Sequence, residues 1–110
     1  MSMGCASGPP RVAVEPAVKQ SSPITIRWTT ASELDNYGFH VYRGLDAEGP
    51  FERLTQRIIP GAGTIDLPQS YVYEDLTSRS GETYYYWVET VSLSGERRQL
   101  TPVQAVEASP

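Results

Sequence analysis

A chain of 110 residues is the size of one ordinary domain and can enclose a single hydrophobic core, which excludes a two-domain design. Lys and Arg number 9 against 13 Asp and Glu; the net charge of −4, with Arg97-Arg98 as the longest basic run, excludes the basic surface that nucleic acid requires. A single cysteine, Cys5, excludes an internal disulfide, and no apolar run approaches the ~18 residues of a membrane span.

In chain order, residues 1–10 (Met-Ser-Met-Gly-Cys-Ala-Ser-Gly-Pro-Pro) are small, Gly- and Pro-rich and lack an apolar signal core, which predicts a flexible tether. Val12 to Val18 reads as a first strand, and Pro16 within it confines that strand to a sheet edge. Ile24-Thr25-Ile26-Arg27-Trp28 alternates apolar and polar, the mark of a half-buried strand. Ala31 to Leu34 offers at most one helical turn. Phe39 and Val41 share one face of the next strand, Tyr71-Val72-Tyr73 follows, and Tyr84 to Val91 is the longest run of β-formers. Leu100 to Val106 supplies a last strand, and residues 108–110 read as a tail. Between the runs lie Ser21-Ser22-Pro23, Asp35-Asn36, Glu48-Gly49-Pro50, Pro60-Gly61-Ala62-Gly63, Ser80-Gly81 and Ser94-Gly95, read as turns because Gly permits positive φ and Pro fixes φ. Short strands with frequent turns predict an all-β antiparallel sandwich or barrel. The 39% hydrophobic content fits a thin sandwich whose strands face water on one side.

These residues resemble the fibronectin type III domain over residues 11–107. Trp28 stands where that family places its buried Trp. Phe39-x-Val41 is similar to the aromatic-x-Val pair of its third strand, and Gly81-Glu82-Thr83-Tyr84-x-Tyr86-x-Val88 to the run entering its sixth. The resemblance implies a seven-stranded antiparallel immunoglobulin-like sandwich with a core that includes Trp28, Phe39, Val41, Tyr84, Tyr86 and Val88. It also implies that the Tyr84 hydroxyl bonds back to nearby backbone. The segments Trp-Thr-Thr-Ala-Ser-Glu and Gly-Phe-x-Val-Tyr-Arg look like bacterial members. Two departures stand out. Leu76 lies five residues before Gly81 where the family often has three, and no Arg-Gly-Asp occurs, so integrin binding by that motif is not implied.

Catalysis requires a positioned nucleophile, base or metal. The one histidine, His40, reads as an outward-facing strand residue, and no nucleophile-elbow motif accompanies it. One Cys and one His cannot build a zinc site without carboxylates. Glu33-Leu34-Asp35-Asn36 carries oxygens that calcium accepts but lacks the spacing of a calcium loop, so a turn is the plainer reading. Gly61-Ala62-Gly63-Thr64 precedes neither Lys nor a helix and is no phosphate loop. The expectation is a non-enzyme without cofactor or metal. Gly4-Cys5 before a small-residue tether resembles the start of a mature lipoprotein, which makes Cys5 a lipidation candidate. The Ser at position 2, where a lipobox has Leu, favours an incidental cysteine.

Strand parity singles out one surface. If Phe39, Val41, Tyr84, Tyr86 and Val88 face the core, then His40, Tyr42, Tyr85 and Trp87 share the opposite face. The resemblance implies that their two strands are neighbours. Exposed Tyr and Trp mark contact surfaces, and sugar rings stack on them. Cross-strand aromatic pairs that only stiffen the sheet are the other reading. The expected function is thus a structural spacer or protein-interaction module of an extracytoplasmic bacterial protein (secreted, periplasmic or cell-surface). The alternative is a carbohydrate- or protein-binding module using the aromatic face. Pro16, Lys19 and Pro102 at the edges suggest a monomer, and membrane contact is expected only if Cys5 is lipidated.

Overall fold

Alternation of apolar and polar side chains builds the fold from Ile24 onward in the computed structural model, which describes residues 20–110. The tether, Cys5 and the run Val12 to Val18, with Pro16 and Lys19, lie outside the described residues. Among the described residues eight strands are formed: β1 (Ile24–Thr30), β2 (Glu33–Gly44), β3 (Phe51–Arg53), β4 (Ile59–Ile65), β5 (Gln69–Asp75), β6 (Thr83–Ser92), β7 (Arg97–Gln99) and β8 (Gln104–Glu107). No helix occurs among the described residues, and Ala31-Ser32 simply joins β1 to β2.

The fold is all-β and antiparallel. β1 and β5 form one sheet. In the other, β2 and β6 lie side by side at the centre. β3 and β4 both pair with the outer side of β2, and β7 and β8 both pair with the outer side of β6, so each margin of this sheet is one broken line. At both breaks one backbone bond survives, Leu54 N to Val41 O and Leu100 N to Val88 O, each at 2.8 Å, and a threonine supplies the other acceptor. Thr55 Oγ1 accepts from Val41 N at 3.3 Å, and Thr101 Oγ1 accepts from Val88 N at 2.9 Å. Val41 and Val88 are themselves register partners, so the two substitutions lie on one row of the sheet.

The sheets bury one core between them. Ile24, Ile26 and Trp28 from β1 meet Phe39 and Val41 from β2 and Tyr84, Tyr86 and Val88 from β6, all buried. Trp28 contacts Phe39 edge-on at 5.4 Å and stacks on Tyr71 at 5.7 Å. Its indole N–H finds no acceptor among the described residues, a cost of about 1–3 kcal/mol in a buried site. The Tyr84 hydroxyl accepts from Arg79 N at 2.8 Å, tying the connection before β6 to the strand.

Two groups of residues with turn chemistry lie inside strands. Asp35-Asn36 falls within β2, and Pro60 to Gly63 within β4. The register shifts between Glu33 and Asn36 and again before Gly38, with Asp35 at φ 49° and Gly63 at φ 72°. Positive φ serves a β-bulge as well as a turn, so the same residues bend a strand here instead of reversing it. The last sheet segment also differs from the expected Leu100 to Val106. Leu100 to Val103, with Pro102, is the gap between β7 and β8.

Three carboxylates are buried among the described residues: Glu89 on the outer face of the central sheet, and Glu33 and Asp75 at opposite ends of the sandwich. Near the turn-rich start of β2, Glu33 accepts from Thr30 Oγ1 at 2.8 Å, Asn36 Nδ2 at 2.7 Å, Ala62 N at 2.9 Å and the Tyr71 hydroxyl. At the end of β5, Asp75 accepts from Thr77 N at 2.9 Å, Thr77 Oγ1 at 2.7 Å, Arg43 Nη1 at 3.0 Å and Tyr86 OH at 2.6 Å. Burial pushes the Glu33 and Asp75 carboxyls up, but these hydrogen bonds outweigh it and hold each below its ordinary value. Burial and the Glu33 contact together push the Tyr71 phenol up to about 12.

Candidate interaction face

The outer face of the central sheet is set by the parity of β2 and β6. Phe39 and Val41, like Tyr84, Tyr86 and Val88, turn inward, so His40, Tyr42, Tyr85 and Trp87 turn to the other side. The register then brings them together. Tyr42 lies opposite Trp87, His40 opposite Glu89, and Tyr85 opposite Gly44.

Tyr42 and Trp87 stack on each other, with ring centroids 4.3 Å apart and planes within 5°. Each ring spends one π-face on the other. Phe51, from β3, meets Trp87 edge-on at 6.3 Å. Its ring lies directly over Gly44, where a Cβ would come within 2.8 Å of Phe51 Cδ1, so only glycine fits beneath it. Tyr42, Phe51, Tyr85 and Trp87 are all half-buried. Beside them a hollow of about 260 Å³ is lined by Arg43, Gly44, Leu45, Pro50, Phe51 and Glu52.

A polar half adjoins the rings. The Tyr42 hydroxyl donates to Glu89 Oε1 at 3.1 Å, and Arg97 Nε pairs with Glu89 Oε2 at 3.4 Å. His40 sits on the expected face but is not the surface residue the alternation suggests, being only 8% exposed. Its Nδ1 is 2.6 Å from Thr55 Oγ1, because the chain leaving β3 folds back along β2 and covers the ring. Burial lowers the His40 pKa, as do the Arg53 and Arg97 charges, against an opposing pull from Glu89. The imidazole is therefore held neutral and engaged.

Sequence reading missed Phe51 and Arg97 as members of this face. Phe51-Glu52-Arg53 does alternate after Pro50, but three residues are too few to stand out. Glu89 follows from the same outward parity as Tyr85 and Trp87. Arg97 and Arg98 are exposed on β7, and Arg97 is drawn in by Glu89 across the ladder.

A second hollow of about 300 Å³ lies at the end of the sandwich where β1 passes to β2 and β6 to β7. Glu33, Leu34, Asn36, Ser92, Arg98 and Leu100 are among its lining residues. The Glu33 carboxylate there is fully occupied by its four donors. Among the described residues no group of three or more His, Cys, Asp or Glu is placed to hold a metal ion. Comparison with family models, curated proteins and solved structures found no match for this chain.

Proposed function

We propose that this chain is a non-catalytic module of the fibronectin type III kind, acting as a structural spacer or protein-interaction unit of an extracytoplasmic bacterial protein. The type rests on the resemblance of the sequence, and two features of the fold support it. The Tyr84 hydroxyl is bonded back to Arg79 N. Counting each broken margin as one line leaves six rows among the described residues; the first strand expected from the sequence at Val12 to Val18, which lies outside them, would be the seventh. The extracytoplasmic setting rests on the resemblance alone.

The observation that carries the spacer reading is the self-contained outer face. Tyr42 and Trp87 cover each other, His40 is engaged by Thr55, and Glu89 is held by Tyr42 and Arg97. A face satisfied by its own side chains stiffens a sheet, which is what a spacer needs. A catalytic base would need a free and positioned nitrogen.

Half-exposure of Trp87 and Tyr85 beside the 260 Å³ hollow favours the second reading, a carbohydrate- or protein-binding module. Titration of the isotopically labelled chain with cello-, chito- and xylo-oligosaccharides, followed at the Trp87 indole resonance, separates the readings. The spacer reading expects no saturable shift. A saturable shift at Trp87, with the heat of binding seen by calorimetry abolished in Trp87→Phe, replaces it with carbohydrate binding.

A further inference from the structure

The margins of the larger sheet carry features that block strand pairing. On one side the line is broken between Arg53 and Ile59, and β4 contains Pro60 and a positive-φ Gly63. On the other, β7 and β8 are three and four residues long, charged at Arg97 and Arg98, and separated by a stretch containing Pro102. Short, bulged, charged or proline-bearing edges are how β-proteins avoid joining one another.

β5 is longer than β7 or β8, carries no bulge and no proline, and has one exposed charge, Glu74. It runs Gln69-Ser70-Tyr71-Val72-Tyr73-Glu74-Asp75, with no Pro, Gly or Lys. All seven of its residues pair with β1 without a register shift, so the strand is regular from end to end. No strand among the described residues pairs with its other side. On its solvent face Val72 is 55% exposed. The sheet that β5 borders has only two strands among the described residues, and two strands gain stability from a third and fourth.

We propose that the side of β5 that no described strand pairs docks a second copy of this chain, as an antiparallel strand pair with its two-fold axis at Val72. The occupant follows from self-complementarity, which an isologous contact demands. An axis at Val72 uses all seven residues. It sets Val72 against its symmetry mate, Tyr71 against Tyr73, Ser70 against Glu74 and Gln69 against Asp75, so that each acidic residue lies opposite a neutral polar one. An axis at Glu74 would oppose two like charges, and one at Ser70 would leave only three residue pairs. The Val72-centred pairing also keeps the inward parity of Tyr71 and Tyr73 continuous across the join. This inference is independent of the spacer reading.

Sedimentation velocity on the full chain from about 10 µM to about 1 mM tests it, in the range of small transient interfaces. The expected result is a reversible dimer. Val72→Glu sets two carboxylates opposite each other at the axis. Within one copy the new carboxylate faces Arg27 of β1, so the fold is retained. Dissociation should become about tenfold or more easier. Ser70→Lys faces Glu74 of the second copy twice and should tighten the dimer severalfold. A chain that stays monomeric throughout, a dimer indifferent to Val72→Glu, or no tightening by Ser70→Lys overturns the proposal. If Val72→Glu does not fold, Ser70→Lys decides.

Discussion

Glu33 and Asp75 are both buried carboxylates that accept four hydrogen bonds, yet they are built on different logic. Asp75, only 1% exposed, takes one N–H and one hydroxyl on each oxygen: Thr77 N and Thr77 Oγ1 on Oδ1, Arg43 Nη1 and Tyr86 OH on Oδ2. Glu33 sorts its donors by kind. Both hydroxyls, from Thr30 and Tyr71, address Oε2, while Asn36 Nδ2 and Ala62 N address Oε1. Asp75 also faces a full positive charge. The Arg43 guanidinium, 14% exposed, lies 5.0 Å above the Tyr84 ring and reaches Glu52 as well. No cation contacts Glu33 among the described residues. A hydroxyl can turn round and accept, whereas an N–H cannot, so the two sites should respond differently to the same loss of charge.

Asp75→Asn breaks the comparison open most widely. Whichever way the amide is turned, its NH₂ faces a donor that cannot reverse, either Thr77 N or Arg43. Removing one partner of a buried pair costs about 3–5 kcal/mol because a charge is left behind. Here Glu52 remains beside Arg43 but is 68% exposed and screened, so a loss of about 3 kcal/mol in unfolding free energy is expected. Equilibrium urea denaturation measures it. A loss below about 1 kcal/mol would mean that Arg43 finds water or Glu52 at little cost, and that the pair is not what holds this end together.

The two sites also differ in how far the sequence announces them. Ile24 to Trp28, Phe39-x-Val41 and Tyr84-x-Tyr86-x-Val88 alternate cleanly, and the core they form was legible for that reason. Asp75 continues the inward parity of Tyr71 and Tyr73, so its burial was readable as an acid on the apolar side of a strand. Glu33 was not readable. The bulges at Asp35 and Asn36 interrupt the alternation, and its partners Ala62 and Tyr71 lie 29 and 38 residues away. The same bulging hid β4, whose Pro and Gly read as a turn. His40 was placed on the correct face, but Thr55, 15 residues on, covers it, and parity carries no information about what folds over a strand.

Acid should sharpen the comparison, with an effect below that of Asp75→Asn. The Asp75 and Glu33 carboxyls are both more acidic folded than unfolded. Each contribution is therefore complete above the ordinary values of 3.8 and 4.5 and is lost as pH falls through the lower folded value. His40 acts in an earlier window. Its folded pKa lies below 6.5, so the unfolded chain binds the extra proton, and stability declines as pH drops from 6.5. Urea unfolding measured from pH 7 to pH 2.5 should show a shallow decline below 6.5 and a steeper one below 4.5. Asp75→Asn should flatten the lower part, and His40→Gln the upper. If the steep part persists unchanged in Asp75→Asn, the acid sensitivity resides elsewhere.

The smallest effect belongs to Glu33→Gln. The amide oxygen can stay where Asn36 Nδ2 and Ala62 N donate, and its NH₂ then faces Thr30 Oγ1 and the Tyr71 hydroxyl, both able to rotate and accept. What is lost is only the extra strength of hydrogen bonds to a charged acceptor, and no cation is abandoned. The expected cost is about 1 kcal/mol. Adding Tyr71→Phe to Glu33→Gln removes one of the two hydroxyls and leaves the NH₂ with Thr30 alone. That double variant should be less stable than Glu33→Gln by about 1 kcal/mol. A cost for Glu33→Gln equal to that of Asp75→Asn would show that the hydroxyls are locked as donors. The distinction between the two carboxylates would then rest on charge alone and not on the kind of donor each one meets.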